Sequence, residues 1–113
     1  MRNNRRPPVR RVMMLLIAVA AMQFVCETSV AQDFDETENK TYEYYQNELW
    51  DSLIYAGEKA LDENLDYFYL RLRLGIAYFH RENYRKAAHH LSKAYAFNSS
   101  DPVMLERLYL SYI

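Results

Sequence analysis

The sequence predicts an all-α fold built from antiparallel helix hairpins. Beyond residue 41, apolar residues recur at spacings of three and four positions, which is the period of a helix with one buried face. The same stretch contains neither the alternation typical of strands nor an Asn-Gly or Asp-Gly turn. Because the chain has only 113 residues, we expect a single domain.

The N-terminal segment, 1–31, has the pattern of a secretory signal peptide. It begins with five arginines and no acid, continues with an apolar run over 12–25, and ends with the small residues Ser29 and Ala31. The run is shorter than the roughly 20 residues that cross a bilayer, so a retained membrane anchor is the weaker alternative. We therefore expect export, to the periplasm or the outer membrane, after cleavage near Ala31.

Cys26, the only cysteine, raises the alternative of a lipoprotein anchored through this residue. Phe24 and Val25 directly before it are too large for a typical lipidation signal, so we expect Cys26 to lie in the discarded leader. The mature chain then has no cysteine, which excludes disulfides and thiol chemistry. It also has nine bases against 14 acids, a net charge of −5. Such a chain is not expected to bind nucleic acid.

The mature chain is expected to begin with an acidic, flexible lead-in at 32–40, followed by a helical region at 41–113. Residues 40–47 predict either a separate helix or an extension of the next one. That next helix is expected over 49–62. Its inward face would consist of Trp50, Leu53, Ile54, Gly57, Ala60 and Leu61.

Three more helices follow in the prediction. One covers 67–80, with Asp66 as its possible N-cap and apolar residues on two faces. A short link leads into a helix over 84–97, so the two must form an antiparallel hairpin. The last helix is expected to start at Pro102, which suits a first helical position, with Asp101 as its cap.

The helical region aligns with itself when it is shifted so that Tyr84 falls on Trp50, and the same shift relates Tyr112 to Tyr78. Within 68–101, small and large residues occur at the intervals of a tetratricopeptide repeat (TPR), namely Leu74, Gly75, Tyr78, Ala87, Leu91 and Ala94. The chain therefore resembles exported bacterial TPR proteins of the Bacteroidetes-like type. Arg71 and Ser99 stand where the family often has Trp and Pro. The resemblance implies a short TPR-like α-solenoid, with partial repeats before and after the best one.

The resemblance also implies a groove that binds a protein or peptide partner, lined by the first helix of each repeat. Its residues here would be Tyr69, Leu72, Arg73, Ile76, Phe79 and His80. Leu72 and Ile76 replace the Lys and Asn with which some TPR proteins clamp a terminal carboxylate, so no such clamp is expected. An apolar, aromatic groove suits a hydrophobic peptide or a neighbouring helix of the same chain.

The remaining polar residues predict no enzyme. His89 and His90 are adjacent and point about 100° apart on a helix, so they cannot chelate one metal as an i, i+4 pair could, and we expect both on a solvated face. His80 at a helix end suits the helix dipole. The acidic cluster Asp62, Glu63 and Asp66 lacks calcium-loop spacing. We expect no catalytic set, cofactor, metal or small-molecule substrate, and tyrosines that serve packing, among them Tyr44, Tyr78, Tyr84 and Tyr95.

The last predicted helix has an apolar face with nothing to cover it, formed by Leu105, Leu108, Tyr109 and Tyr112. The 113 residues are therefore expected to be the N-terminal part of a longer protein or a truncated product. Two functions remain open: a non-enzymatic interaction module in the cell envelope, or a structural periplasmic segment that packs on later repeats of a longer, outer-membrane protein. An enzyme accessory domain is the least supported alternative.

Overall fold

The computed structural model describes residues 33–113, and this part of the chain is all-helical. Helix α1 covers 33–46 and is followed by four more: α2 (Trp50–Asp62), α3 (Phe68–His80), α4 (Tyr84–Phe97) and α5 (Pro102–Ser111). The predicted all-α class is confirmed for these residues. Phe34–Ile113 form one compact unit. None of the helices described is long and apolar enough to cross a membrane. The expected leader, 1–31, with Cys26, lies outside the described residues.

The expectation of a flexible lead-in over 32–40 is wrong for 33–40, which belong to α1. Two local contacts support this helix: Lys40 pairs with Glu36 at 2.9 Å, and the Thr41 hydroxyl donates to the Thr37 carbonyl at 2.8 Å. A third contact joins α1 to a distant part of the sequence: Arg73 of α3 donates a hydrogen bond to the Glu38 carboxylate at 2.8 Å. Tertiary packing thus orders a segment whose composition alone favours disorder.

The helices recur with the same shift that aligns the sequence with itself. Trp50 and Tyr84 begin α2 and α4, and Phe68 and Pro102 begin α3 and α5. The turns repeat as well: the Leu49 N–H donates to the backbone carbonyl of Tyr44, and the Asn83 N–H donates to the backbone carbonyl of Tyr78, each at 2.9 Å. Glu48 and Glu82, at the same place in the two turns, have left-handed φ values of 55° and 60°.

These turns join α1 to α2 and α3 to α4, so the described chain contains two helix pairs and a fifth helix. The sequence left open whether 40–47 form a separate helix or extend the next one; the structure contains a separate helix over 33–46. Residues 40–46 therefore belong to a separate helix, and Asn47 lies in the turn between α1 and α2.

Helix caps bear out one prediction and correct another. The Asp101 carboxylate accepts a hydrogen bond from the Met104 N–H at 2.9 Å, with Pro102 in the first turn, as expected. Asp66 does not cap α3, whose N-cap is Tyr67 without a side-chain bond. Asp66 is instead held by Arg71 through two hydrogen bonds of 2.7 and 2.8 Å.

Two glycines bring the helices close together. A Cβ built on Gly75 of α3 would lie 2.5 Å from Leu91 Cγ of α4, and one on Gly57 of α2 would lie 2.6 Å from Leu74 Cδ2 of α3. Both leucines are fully buried. The core thus runs through all the helices from α2 to α5, and its completely buried apolar members are Leu53, Leu70, Leu74, Ala77, Ala87, Leu91, Ala94 and Met104.

Several aromatic residues stay outside this core. Tyr78 is buried and Tyr44 packs half-buried against the core, as predicted. Tyr84 is 43% exposed but packs edge-on against Phe79 with ring centroids 5.3 Å apart, whereas Tyr95 is 48% exposed and does not belong to the core. The uncovered face expected on the last helix is present in part: Tyr109 and Tyr112 are 69% and 71% exposed, whereas Leu108 is half-buried against the core.

Candidate functional site

A cavity of ≈ 370 Å³ lies where α1, α3 and α5 meet. Since α1 and α3 are the first helices of their hairpins, the cavity is on the side of the molecule that they share with α5. Its wall combines apolar and polar groups and consists of Tyr45, Gln46, Glu48, Trp50, Ile76, His80, Val103 and Arg107. We call this cavity the groove.

The aromatic end of the groove is a stacked pair. The His80 ring lies parallel to the Trp50 indole, with centroids 4.3 Å apart and an interplanar angle of 3°. Tyr45 of α1 meets the same indole edge-on at 6.1 Å. These contacts hold a flat apolar surface beside the cavity, and Trp50 is the only tryptophan of the chain. His80 also lies at the C-terminal end of α3, as expected.

The wall of the groove also carries a cation, Arg107. The guanidinium of Arg107 lies 5.0 Å from the centroid of the Phe79 ring, which fixes it by a cation–π contact. Within the described residues, the ion pairs involve other side chains and leave Arg107 without a carboxylate partner. The groove therefore presents one arginine, one acid (Glu48) and an apolar floor that includes Ile76.

The predicted groove residues divide between this cavity and the interior. Ile76 and His80 line the cavity, and Phe79 supports Arg107. Leu72 and Arg73 are only 8% and 7% exposed, so the expectation that they form an open surface is wrong. Ile76 too is 3% exposed and contributes only its edge.

Helix α1 explains this burial. Arg73 donates to Glu38 and to the Thr41 hydroxyl at 2.8 and 3.2 Å, both on α1. Its guanidinium also lies between two rings, 5.3 Å from Tyr42 and 5.4 Å from Tyr69. The side chain therefore ties the two hairpins together, and Tyr69 takes part in this contact rather than lining the cavity.

The sequence prediction missed most of the wall, although the repeat already marked its positions. Tyr45 and Gln46 stand one repeat before Phe79 and His80, and Arg107 stands one repeat after Arg73. Applying the shift to the predicted groove would have found these residues, and it also gives Val103. Glu48 lies in the turn, which the prediction left undescribed, and Trp50 begins α2 and was predicted only as part of the inward face of that helix.

A second polar site connects α2, α3 and α4. His90 of α4 contacts Glu58 of α2 at 3.0 Å through Nε2 and Arg71 of α3 at 3.0 Å through Nδ1. Glu58 also accepts from the Tyr78 hydroxyl at 2.8 Å, and the Tyr78 and His90 rings stack at 5.3 Å. With Asp66, which pairs with Arg71, these residues form what we call the His90 cluster.

The His90 cluster corrects the expectation that His90 lies on a solvated face, since the residue is only 4% exposed. Its neighbour His89 is exposed, as expected. Burial raises the pKa of Tyr78 to about 12, assisted by the Glu58 carboxylate. The hydrogen bond from Arg71 lowers the pKa of Asp66. In the part of the chain described, no group of three acid, His or Cys side chains could hold a metal ion.

Comparisons with protein-family models, with curated proteins and with solved structures find no match to this chain.

Proposed function

We propose that this chain is a TPR-like interaction module that binds an extended peptide segment of a protein partner in the groove. The observation that carries this proposal is the position of Arg107, a cation without a described carboxylate partner, in a cavity that also exposes aromatic and apolar side chains. The regular recurrence of helices and turns supports the TPR-like arrangement, because first helices of successive repeats then share one side of the stack.

The wall of the groove defines the ligand chemistry. The apolar edge of Ile76, the exposed Val103 and the Trp50 indole favour an apolar side chain, while Arg107 favours an acidic residue next to it. Glu48, which also lines the groove, would disfavour a second acid. We therefore propose a partner segment with one apolar anchor and one acidic residue.

Selection from a displayed random-peptide library against the chain tests this proposal, because the emission of Trp50 then reports binding of each selected peptide directly. Arg107→Glu and Val103→Asp change exposed or half-exposed positions on the groove. Each is expected to weaken the selected peptides by about tenfold, roughly 1.4 kcal/mol. Arg85→Glu, at an exposed arginine of α4 away from the groove, is the matched control and leaves affinity unchanged.

Two results would count against this function. One is the absence of any peptide that binds with a change in Trp50 emission. The other is a set of peptides whose affinity for Arg107→Glu and Val103→Asp equals that for the parent chain.

The exposed face of α5 favours a second candidate, a structural segment of a longer protein. Leu105, Tyr109 and Tyr112 follow one another at i, i+4 and i+7 and are 40%, 69% and 71% exposed. Tyr109 occupies the position of Gly75 in the preceding repeat. A helix that followed α5 could not approach it as α4 approaches Gly75, so a covering element would have to pack in another way.

Solution behaviour separates the two candidates. A helical monomer by size exclusion and circular dichroism supports an independent module. Aggregation that is relieved by Leu105→Ser together with Tyr109→Ser supports a structural segment whose partner surface is missing.

We also propose that the protein acts after export, on the basis of the leader pattern at 1–31. N-terminal sequencing of the protein recovered from an expressing Gram-negative cell tests this proposal. Export predicts a mature N-terminus at Gln32, whereas an N-terminus at Met1 in the cytoplasmic fraction would contradict it.

A further inference from the structure

The His90 cluster fixes the protonation state of its central imidazole. Arg71 is a donor only, so its 3.0 Å contact requires a bare Nδ1 on His90. The other ring nitrogen, Nε2, then carries the hydrogen and donates to Glu58, an acceptor, at 3.0 Å. The cluster is complete only with neutral His90.

Charged and titratable groups face this imidazole from every element around it. Glu58 comes from α2, Asp66 from the α2–α3 connection, and Arg71 and Tyr78 from α3. Two further groups come from α4: His89, whose ring lies 5.2 Å from that of His90, and Lys86, whose ammonium lies 5.4 Å from the Tyr78 ring.

A proton on Nδ1 would set an N–H of His90 against an N–H of Arg71. Glu58 offsets part of this repulsion, but its side chain is 41% exposed and water screens its charge, whereas the His90 side chain is 6% exposed. Asp66 gives little relief because Arg71 already engages both of its oxygens. Protonation therefore costs a hydrogen bond and buries a charge.

We propose that His90 is a proton-sensitive lock, which joins α2, α3 and α4 when neutral and loosens their contact when it takes up a proton. Glu58 of α2 accepts hydrogen bonds from both Tyr78 of α3 and His90 of α4, so the contact among these three helices depends on the cluster. Acidification thus acts on the junction between the two hairpins, and this proposal does not require that the groove binds a ligand.

The direction of the pH effect follows from the cluster. Burial, against the opposing attraction of Glu58, lowers the pKa of His90 below its ordinary 6.5. Between the two pKa values the unfolded chain binds a proton that the folded chain does not, so the unfolded state gains. The stabilisation is present above pH 6.5 and is lost as the pH falls through that value towards the folded pKa.

Urea unfolding of the chain, purified after expression from its full-length sequence, tests the lock at about pH 7.5 and about pH 5.5. The variant is His90→Asn, whose Oδ1 can still accept from Arg71 but does not titrate. The matched control is His89→Asn, at the exposed neighbour. On acidification, we expect the urea concentration at the unfolding midpoint to fall for the parent and the control. For His90→Asn we expect it to fall by at most half as much. An equal loss in His90→Asn would overturn the proposal.

Proton NMR of the histidines in the parent chain keeps the proposal testable if His90→Asn does not fold. The resonances that disappear in His80→Asn and His89→Asn belong to the replaced residues, and the one that both variants retain belongs to His90. We expect it to titrate below the ordinary imidazole pKa of 6.5. Titration at or above that value would refute the lock.

Discussion

Adding one methyl group at Gly75 is expected to destabilise the fold, although it improves helix propensity. A Cβ at this position would lie 2.5 Å from Leu91 Cγ, 2.6 Å from Leu91 Cδ2 and 3.3 Å from the Leu91 backbone nitrogen. Leu91 is fully buried, and the closest atom is its branch point, which rotation about χ2 does not move; a change of χ1 is opposed by the dense packing around it. Helices α3 and α4 must separate instead.

The size of the effect is a balance of two terms. Replacing Gly by Ala inside a helix gains about 1 kcal/mol, and overpacking a dense core costs about 1–3 kcal/mol. Because a backbone atom of α4 is involved, we expect the upper part of that range and a net loss of about 1–2 kcal/mol for Gly75→Ala.

Urea unfolding followed by circular dichroism measures this loss. With a slope of about 1 kcal/mol per molar urea for a domain of this size, the midpoint falls by about 1–2 M. Ala56→Gly, in the middle of α2, calibrates the propensity term in the same chain. A double-mutant cycle with Leu91→Ala should show favourable coupling of at least about 0.5 kcal/mol, since the new methyl then fills part of the cavity.

A Gly75→Ala chain that is as stable as the parent chain, or more stable, would refute this reasoning. So would a loss that is simply additive with that of Leu91→Ala, because the clash would then not involve Leu91.

Three further perturbations have defined outcomes. Tyr78→Phe removes the hydroxyl that donates to Glu58 and should cost about 1 kcal/mol near neutral pH. Burial raises the pKa of Tyr78 to about 12, so the tyrosine stabilises the fold below pH 10 and loses this effect as the pH rises towards 12. The free energy of unfolding of Tyr78→Phe should therefore fall less steeply with rising pH than that of the parent chain. Arg73→Met leaves the Glu38 carboxylate without its partner and should cost about 2–3 kcal/mol, seen as a lower urea midpoint. Asp101→Ala removes the cap of α5 and should cost about 1 kcal/mol with a partial loss of helicity.

Two of these perturbations have a matched control within the chain. Tyr55→Phe alters a tyrosine that is 75% exposed and should change neither stability nor the alkaline limb. Arg85→Met tests the loss of an exposed arginine and should be neutral. Equal effects of test and control variants would show that the hydrogen bond or ion pair in question contributes nothing.

The helices of the fold were predictable because their signals are local. Pro102 together with Asp101 predicts the start of α5, and the spacing of small residues predicts the α3–α4 hairpin. Helix α1 was missed over 33–40 because it has few apolar residues and is ordered by Arg73, which lies 35 positions beyond Glu38. Composition reports the tendency of a free segment, and it does not report what a distant partner does to it.

The candidate site was only partly predictable for a related reason. The sequence shift that relates the helices also gives the positions of Tyr45 and Arg107. The burial of Arg73, however, is caused by α1, a helix that the composition of its segment did not predict. His90 shows the same limit. Helical geometry separates it correctly from His89, but its partners Glu58 and Arg71 belong to other helices and leave no local pattern.

The stacking of helix pairs has a consequence for the order in which parts of the molecule open. In the TPR-like stack that we propose, each end is held from one side only, so α1 and α5 are expected to detach at a lower free energy than the middle pair. The groove takes its wall from both of these outer helices and from α3 between them. A ligand in the groove would bind only the form in which both α1 and α5 are docked. It would therefore suppress the fraying of both helices. Protection of amide hydrogens in α1 and α5 would then rise together with occupancy, although the two helices are far apart in sequence.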